Sequence, residues 1–409
     1  MCCAAHFALP KNGSDCTISS AMPSSPRNPF EFGGELPPGQ LVDRQDELQT
    51  VIRTVENKGK LFLIGPRRYG KTSILSAAQF RLEEDKAAII RHDAETYESV
   101  QGLAEAILAD AARKLSGNLE KAGEAVKKIF SHLRPQVDYN FTEQKISVKL
   151  GVAHDAPREL PILTEVLNTV DRMAGEYEHP VAVIIDEFQQ VVAEGGATAE
   201  RQIRSVVQRH HNTAYIFAGS KTRLLADMTN DPARAFWKLG ARYFIGPIPR
   251  EEFMPFLRAG FVDIGFFADE AALARILDLA EDVPYNVQQL ANMCWEMVRV
   301  DESHRLTVEL ANNALLRVVM RENSPYTQLW NSLTRTQKVV LKAVVVEKGE
   351  NLRSATTTAR YGVPLSSLQR ALKSLDDKGV VREEETIGAV RYRLEDPFLG
   401  HWLREAQAG

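Results

Sequence analysis

The sequence predicts an α/β fold: a P-loop NTPase parallel sheet with an inserted β-hairpin, a helical lid and a C-terminal winged helix-turn-helix. Three observations carry this. Residues 60–75, KLFLIGPRRYGKTSIL, read as a short apolar strand, a glycine loop and the start of a helix. Apolar runs of strand length then alternate with helical segments to about residue 248, the pattern of a parallel sheet with crossover helices. Beyond that point helices take over, and from about residue 331 the order is three helices followed by two short strands.

The glycine loop is the most informative stretch. Gly65, four further residues and then Gly70-Lys71-Thr72 make the Walker A spacing, in which glycines let successive backbone N–H groups turn inward onto phosphate oxygens at a helix N-terminus. The loop Gly65, Pro66, Arg67, Arg68, Tyr69, Gly70, Lys71, Thr72 and Ser73 is therefore the expected phosphate cradle. Lys71 is expected on the β- and γ-phosphates of ATP, and the Thr72 hydroxyl on the bridging Mg²⁺.

Taken whole, 409 residues leave room for roughly two to four compact units. With 50 basic and 54 acidic residues, net charge does not point to nucleic acid, and any such role needs a local patch. Cys2, Cys3, Cys16 and Cys294 lack metal-ligand spacing, which fits a reducing cytoplasm. No convincing signal peptide opens the chain and no run of about eighteen apolar residues occurs, so a soluble, cytoplasmic protein with no membrane partner is expected. Residues 1–27, rich in Ser, Pro and Asn, read as a disordered leader, with Met22 a candidate start. The expected units are 28–248 for the ATPase core, 249–330 for lid and connector, and 331–409 for the winged helix.

In order along the chain, Asp43 is positioned to cap a helix whose apolar residues Leu48, Val51, Ile52 and Val55 have helical spacing. After the loop come a helix to about residue 84, the strand AAIIRHDA and a helix over 100–115. In PQVDYNFTEQKISVKLGV, two alternating runs predict a β-hairpin, either a structural flap or a partner-binding element. A helix at about 161–176 leads to VAVIIDEF, an apolar strand ending in Asp186-Glu187. That is the Walker B form: Asp186 for Mg²⁺, Glu187 to orient the attacking water. A helix over 200–211 precedes the strand in TAYIFAGS, whose terminal Ser220 reads either as a γ-phosphate sensor or as a helix cap. Arg242 opens the fifth strand, 243–245, and reads either as a transition-state cation, in this chain or across a subunit contact, or as an ordinary surface arginine. Pro284 and Tyr285 open the last lid helix.

In the third helix of the winged unit, Leu365, Leu368, Leu372 and Leu375 form the expected buried stripe, leaving Ser366, Ser367, Gln369, Arg370 and Lys373 outward. Arg370 and Lys373 are candidates for duplex DNA. Glu383, Glu384 and Glu385 at the start of the wing oppose a phosphate backbone, and residues 331–409 carry an excess of only about three positive charges. DNA binding and a protein-contacting or autoinhibitory role both stand.

LVDRQDEL, GPRRYGKTSIL, KISVKL, VIIDEFQ, FAGS and EDPFLGHWLR together resemble the archaeal-type ATPases of the STAND and AAA+ lineage, over roughly residues 28–405. The resemblance implies an ATP-binding core, lid and winged helix, adenine near Pro29, Phe30, Asp43 and Arg44, and ATP turnover as a conformational switch. Two departures stand out: Asp282-Val283 precede Pro284 where the group usually carries glycine, and Ala241 separates Gly240 from Arg242. The expectation is an ATP-hydrolysing switch acting on DNA, a protein partner or a second copy of itself. Its rivals are a nucleotide-gated DNA-binding regulator with little hydrolysis and a small-molecule kinase; no Asn-Lys-x-Asp guanine reader and no Gly-x-Ser-x-Gly elbow occurs.

Overall fold

A computed structural model describes residues 27–34, 41–131, 135–151, 160–263, 265–386 and 389–408. The expected leader, apart from Arg27, lies outside the described residues. In the first part of the chain α1 (Gln45–Glu56) leads into β1 (Lys60–Ile64), α2 (Lys71–Glu84) and β2 (Ala88–Asp93). Then come α3 (Val100–Leu115), α4 (Leu119–Ile129), the hairpin β3 (Gln136–Asn140) and β4 (Lys145–Lys149), and α5 (Leu160–Ala174). The core closes with β5 (Val181–Asp186), α6 (Gln189–Val207), β6 (Thr213–Gly219), α7 (Thr222–Asn230) and β7 (Ala241–Phe244).

Five strands form one parallel sheet in the order β2-β5-β6-β1-β7. The central strands are buried on both faces, as a parallel sheet covered by crossover helices requires. Side chains alternate between faces, so each strand feeds two cores. Phe62, Ile64, Val183, Ile185 and Phe217 pack toward α3, α5 and α6. Leu61, Leu63, Ala182, Ile184 and Ile216 pack toward α1 and α2. The expected hairpin is present, its Ile146 and Val148 buried beside α3.

Two local expectations are corrected. Arg44, not Asp43, holds the N-cap position of α1, and it makes no side-chain cap there. The helix after Asp186-Glu187 starts at Gln189 and kinks at Gly196 (φ 57°), where the sequence suggested a break and a later start.

The second half continues with α8 (Arg250–Val262), the short strand β8 (Phe267–Ala268), α9 (Glu270–Leu279), α10 (Pro284–Val300), β9 (Arg305–Leu306), α11 (Val308–Arg321) and α12 (Asn323–Ser332). The winged unit comprises α13 (Arg335–Val346), α14 (Ala355–Tyr361), α15 (Leu365–Asp377), the antiparallel wing β10 (Val381–Thr386) and β11 (Ala389–Leu394), and α16 (Pro397–Ala408). Lid and winged helix share one continuous apolar core, from Phe30 through Trp295 to Phe398 and Leu403. In α15 the buried face is Leu368, Ala371, Leu372 and Leu375; Leu365, expected in that stripe, is 45 % exposed because the first turn of the helix extends past the covering elements. Among the described residues no helix is long and apolar enough to cross a membrane.

The N-terminal segment is threaded into the lid. Phe30 is fully buried against Phe256 and Phe261. Asn292 Nδ2 donates to the Phe30 carbonyl (2.6 Å) and Asn28 Nδ2 donates to the Asn292 carbonyl (3.1 Å). A Cβ on Gly260 would come within 2.3 Å of the Phe30 ring. Phe30→Ala should therefore cost about 3–5 kcal/mol of folding free energy, and Gly260→Ala should destabilise as well, both read from urea denaturation.

Candidate functional site

Gly70 takes a left-handed backbone (φ 87°) at the N-cap of α2, a conformation glycine adopts without a Cβ penalty, and this turns the loop into the helix. Gly65 lies so close to β7 that a Cβ would meet the Ile245 Cβ at 2.8 Å. Lys71 is buried, with Nζ donating to the carbonyls of Gly65 (2.9 Å) and Pro66 (3.1 Å). Burial pushes its ammonium group below the ordinary lysine range, and Glu187 and Asp186 resist that shift.

Asp186 ends β5, two strands from the loop, because β6 intervenes between β1 and β5. The Thr72 hydroxyl nevertheless reaches it, donating to Asp186 Oδ2 at 3.1 Å. Burial raises the Asp186 carboxyl above its usual range, and Lys71 draws it back. Two oxygen donors in a buried, cation-relieved pair fit a hard divalent ion such as Mg²⁺, which needs only one or two protein oxygens beside phosphate and water. Among the described residues no cluster of three or more His, Cys, Asp or Glu could hold a metal.

Glu187 has a left-handed backbone (φ 48°), which turns its side chain out of the strand line toward the end of β6. Its Oε2 accepts from the Ser220 hydroxyl (2.7 Å), the Ser220 N–H (3.2 Å) and the Gln189 amide. Burial works to raise this carboxyl, but Lys71 and the donors from Ser220 and Gln189 outweigh it, and it titrates below the usual glutamate range. Gly219 makes room for this arrangement, since a Cβ there would overlap the Gln189 amide. Arg67 approaches the same group, with Nε 3.4 Å from Ser220 Oγ and Nη2 2.5 Å from Glu95.

A cleft of about 290 Å³ runs from this loop into the lid. Arg67, Arg68, Tyr69, Gly70, Lys71, Thr72, Ser73 and Glu187 line one part, and Leu41, Val42, Arg44, Ile248, Phe253, Pro284 and Gln288 line the rest. Arg44 bridges the two, donating to the carbonyls of Tyr69 (3.3 Å) and Gly246 (2.8 Å). Pro29, Phe30 and Asp43 are not brought to the cleft: Phe30 is spent on the lid core, and its neighbours Glu31 and Phe32 take the wall instead. Arg242 is not brought there either. It is exposed on edge strand β7, paired with Phe62 two positions short of the strand end that faces the loop. Sequence reasoning missed Gln189 and Gln288, although Gln189 was visible in DEFQ as the next inward position after the acidic pair.

The winged unit closes over the loop. Arg68, itself at φ 70°, forms an ion pair with Asp396 at 2.8 Å and lies over the Tyr285 ring at 5.0 Å. Asp396 also accepts from Asn286 (2.9 Å) and Tyr326 (2.9 Å). Arg382 donates to the Tyr69 hydroxyl (3.0 Å) and pairs with Glu384 and Glu395. Burial raises the Glu395 carboxyl, while Arg382, Lys71 and Arg67 pull it down. The wing glutamates are thus not simply facing solvent: Glu383 pairs with Arg223 of α7 at 2.5 Å. A second cavity, of about 680 Å³, separates Arg67 and Ser220 from Lys373, Asp376 and Asp377 of α15. Arg370 stays on the exposed face of that helix.

Residues 324–405 match the family model described as a probable winged helix domain. The structure is similar to the Walker-type ATPase of Pyrococcus abyssi, with a TM-score of 0.60 at 18 % identity, covering 92 % of this chain and 99 % of that one. It is also similar to the ORC2 protein of Aeropyrum pernix in its ADP form, with a TM-score of 0.50 at 14 % identity, covering 94 % and 99 %. No curated protein matches the sequence. The chain therefore has a P-loop NTPase fold with a C-terminal winged helix, and the resemblance carried by the motifs holds at the level of the fold.

The buried Asp186 charge gives a pH-dependent expectation. Its folded pKa lies above the ordinary 3.8, so its favourable contribution is present below that value and is lost as pH rises through the folded pKa. Relative to wild type, Asp186→Asn should therefore gain in stability as pH rises through the folded pKa of Asp186 and lose that advantage as the wild-type carboxyl protonates, read from urea midpoints at stepped pH.

Proposed function

We propose that this chain is a Mg²⁺-dependent, ATP-binding and ATP-hydrolysing switch whose nucleotide state controls the winged helix. The observation that carries the reading is the joining of Lys71, Thr72, Asp186, Glu187 and Ser220, drawn from the ends of three different strands, around the one glycine loop. Loop N–H groups and Lys71 hold the phosphates, Thr72 and Asp186 hold Mg²⁺, and Glu187 orients water. Mg²⁺, when bound, supplies neutralisation of phosphate charge. Arg67, beside Ser220, is the cation this chain itself offers at the terminal phosphate. Arg242, exposed on the sheet edge, is left either to reach the cleft of another copy or to be an ordinary surface arginine.

Control of the winged helix follows from Arg68. The loop that binds phosphate is ion-paired to Asp396, and the C-terminal half of α15 faces the ATPase core across the second cavity. Arg370 and Lys373 are both exposed, but Lys373 borders that cavity, so duplex DNA seated on both side chains meets the ATPase core at the C-terminal end of α15 and is favoured when the winged unit moves away from it. A protein partner on α15 would meet the same gate. The ADP form of the Aeropyrum pernix neighbour is in keeping with a nucleotide in this fold. A cytoplasmic setting fits the buried, unpaired thiol of Cys294.

A second reading, a nucleotide-gated regulator with little hydrolysis, is favoured by one feature: Glu187 Oε2 already accepts three donors, which leaves that oxygen little capacity to hold a water.

Lys71→Ala should abolish ATP binding in calorimetry. Glu187→Gln should bind ATP normally while phosphate release falls at least about 100-fold; release at the wild-type rate would remove Glu187 from its role. Asp396→Lys places like charges together at Arg68 and should release the winged unit, seen as a larger radius of gyration in solution scattering and tighter binding of a labelled DNA duplex.

A further inference from the structure

Away from the phosphate loop, the cleft wall is apolar: Leu41, Val42, Ile248 and Phe253. Two of the polar side chains at that end are engaged with the protein, and the Tyr285 ring lies under the Arg68 guanidinium. Arg44 is committed to Glu47, the Tyr69 carbonyl and the Gly246 carbonyl, and Glu31 to Arg27. Gln288 differs. It stands one helical turn beyond Pro284 on the same face of α10, is 6 % exposed, and lines the cleft. Its Oε1 is buried with no hydrogen-bond partner among the described residues, and no hydrogen bond engages its amide nitrogen there. A buried carboxamide left unpaired is costly, and such groups are satisfied by a ligand or water when the protein supplies nothing.

We infer that Gln288 reads the base of the bound nucleotide and selects adenine. This rests on the ATP-binding reading above. With the phosphates fixed at Gly65–Thr72, the base occupies the apolar remainder of the same cleft, where Gln288 supplies the free hydrogen-bonding group. A carboxamide offers one acceptor and one donor side by side. Adenine matches it with its 6-amino donor and an adjacent ring-nitrogen acceptor. On the edge formed by position 6 and N7, adenine presents a donor beside an acceptor, whereas guanine and hypoxanthine present two acceptors, O6 and N7, so that in either orientation of the carboxamide Gln288 Oε1 faces an acceptor. Gln288 is thus a specificity residue, distinct from the groups that hold phosphate.

The test is calorimetric titration of the full-length chain with Mg²⁺ and, in turn, ATP, ITP and purine riboside triphosphate, which lacks the 6-amino group. Wild type should bind ATP about ten- to a hundredfold more tightly than either analogue. Gln288→Met, close in volume and without an amide, should lose about tenfold for ATP while ITP changes by less than about threefold, collapsing the preference. A wild type that binds all three equally, or a folded Gln288→Met that keeps the full preference for ATP, overturns the inference and leaves the phosphate site standing. Equal losses for ATP and ITP in Gln288→Met overturn it too, since the residue would then be supporting the cleft rather than reading the base. Should wild type bind none of the three, the nucleotide reading fails first and Gln288 with it. A thermal melt checks that the variant folds, and if it does not, the wild-type comparison decides alone.

Discussion

The hydrogen bond from Thr72 to Asp186 is the constraint on which the rest of the site depends. It joins the helix that follows β1 to the end of β5, although β6 lies between those strands. That intervening strand is what sets Ser220 beside Glu187, and its last residue, Gly219, leaves the space that the Gln189 amide fills. Had β1 and β5 been neighbours, the glycine loop and the acidic pair would meet directly, with no third strand end between them. The sheet order is therefore part of the chemistry, and burial of the central strands on both faces holds it in register.

The loop has two further obligations. Lys71 turns inward, spending its donors on loop carbonyls in a setting that disfavours its charge. Arg68 turns outward, held by Asp396 and stacked on Tyr285. One seven-residue turn thus carries an inward cation, buried against its own carbonyls, and an outward cation committed to the winged unit. Coupling between the two needs no long pathway, because they are three residues apart on a loop whose backbone already includes left-handed positions at Arg68 and Gly70.

Much of this was legible in the residues. The glycine spacing, the acidic pair after an apolar run, the hairpin alternation and the three-helix-plus-wing order all express short-range rules of backbone and periodicity, and most strands and helices lie near where those rules put them; the helix after Asp186-Glu187 starts earlier, the fifth strand is Ala241–Phe244 and two short strands pair within the lid. What the sequence did not disclose is long-range. Phe30 reads as a residue ahead of the core, yet it is sequestered by α8, because only the folded lid reveals that Gly260 leaves a hole for its ring. Leu365 has helical spacing with its buried neighbours, but periodicity cannot tell where the covering surface ends. The wing glutamates read as a repulsive face, and their pairing with Arg223 and Arg382 depends on a docking geometry no local pattern encodes. Arg242 illustrates the same limit: its place on a strand was visible, but not that the strand is the sheet edge.

The apolar core common to the lid and the winged unit has a mechanical consequence. A body packed continuously from Phe30 to Leu403 cannot bend in its middle without opening that core, so a displacement of one part carries the other with it. The chain leaves the sheet at Gly246-Pro247-Ile248-Pro249, where Ile248 already belongs to that core, and the residues around Asn28 are bonded to the same body through Asn292. Any change of partners at Arg68 is therefore transmitted to α15 with no soft layer between them to absorb it.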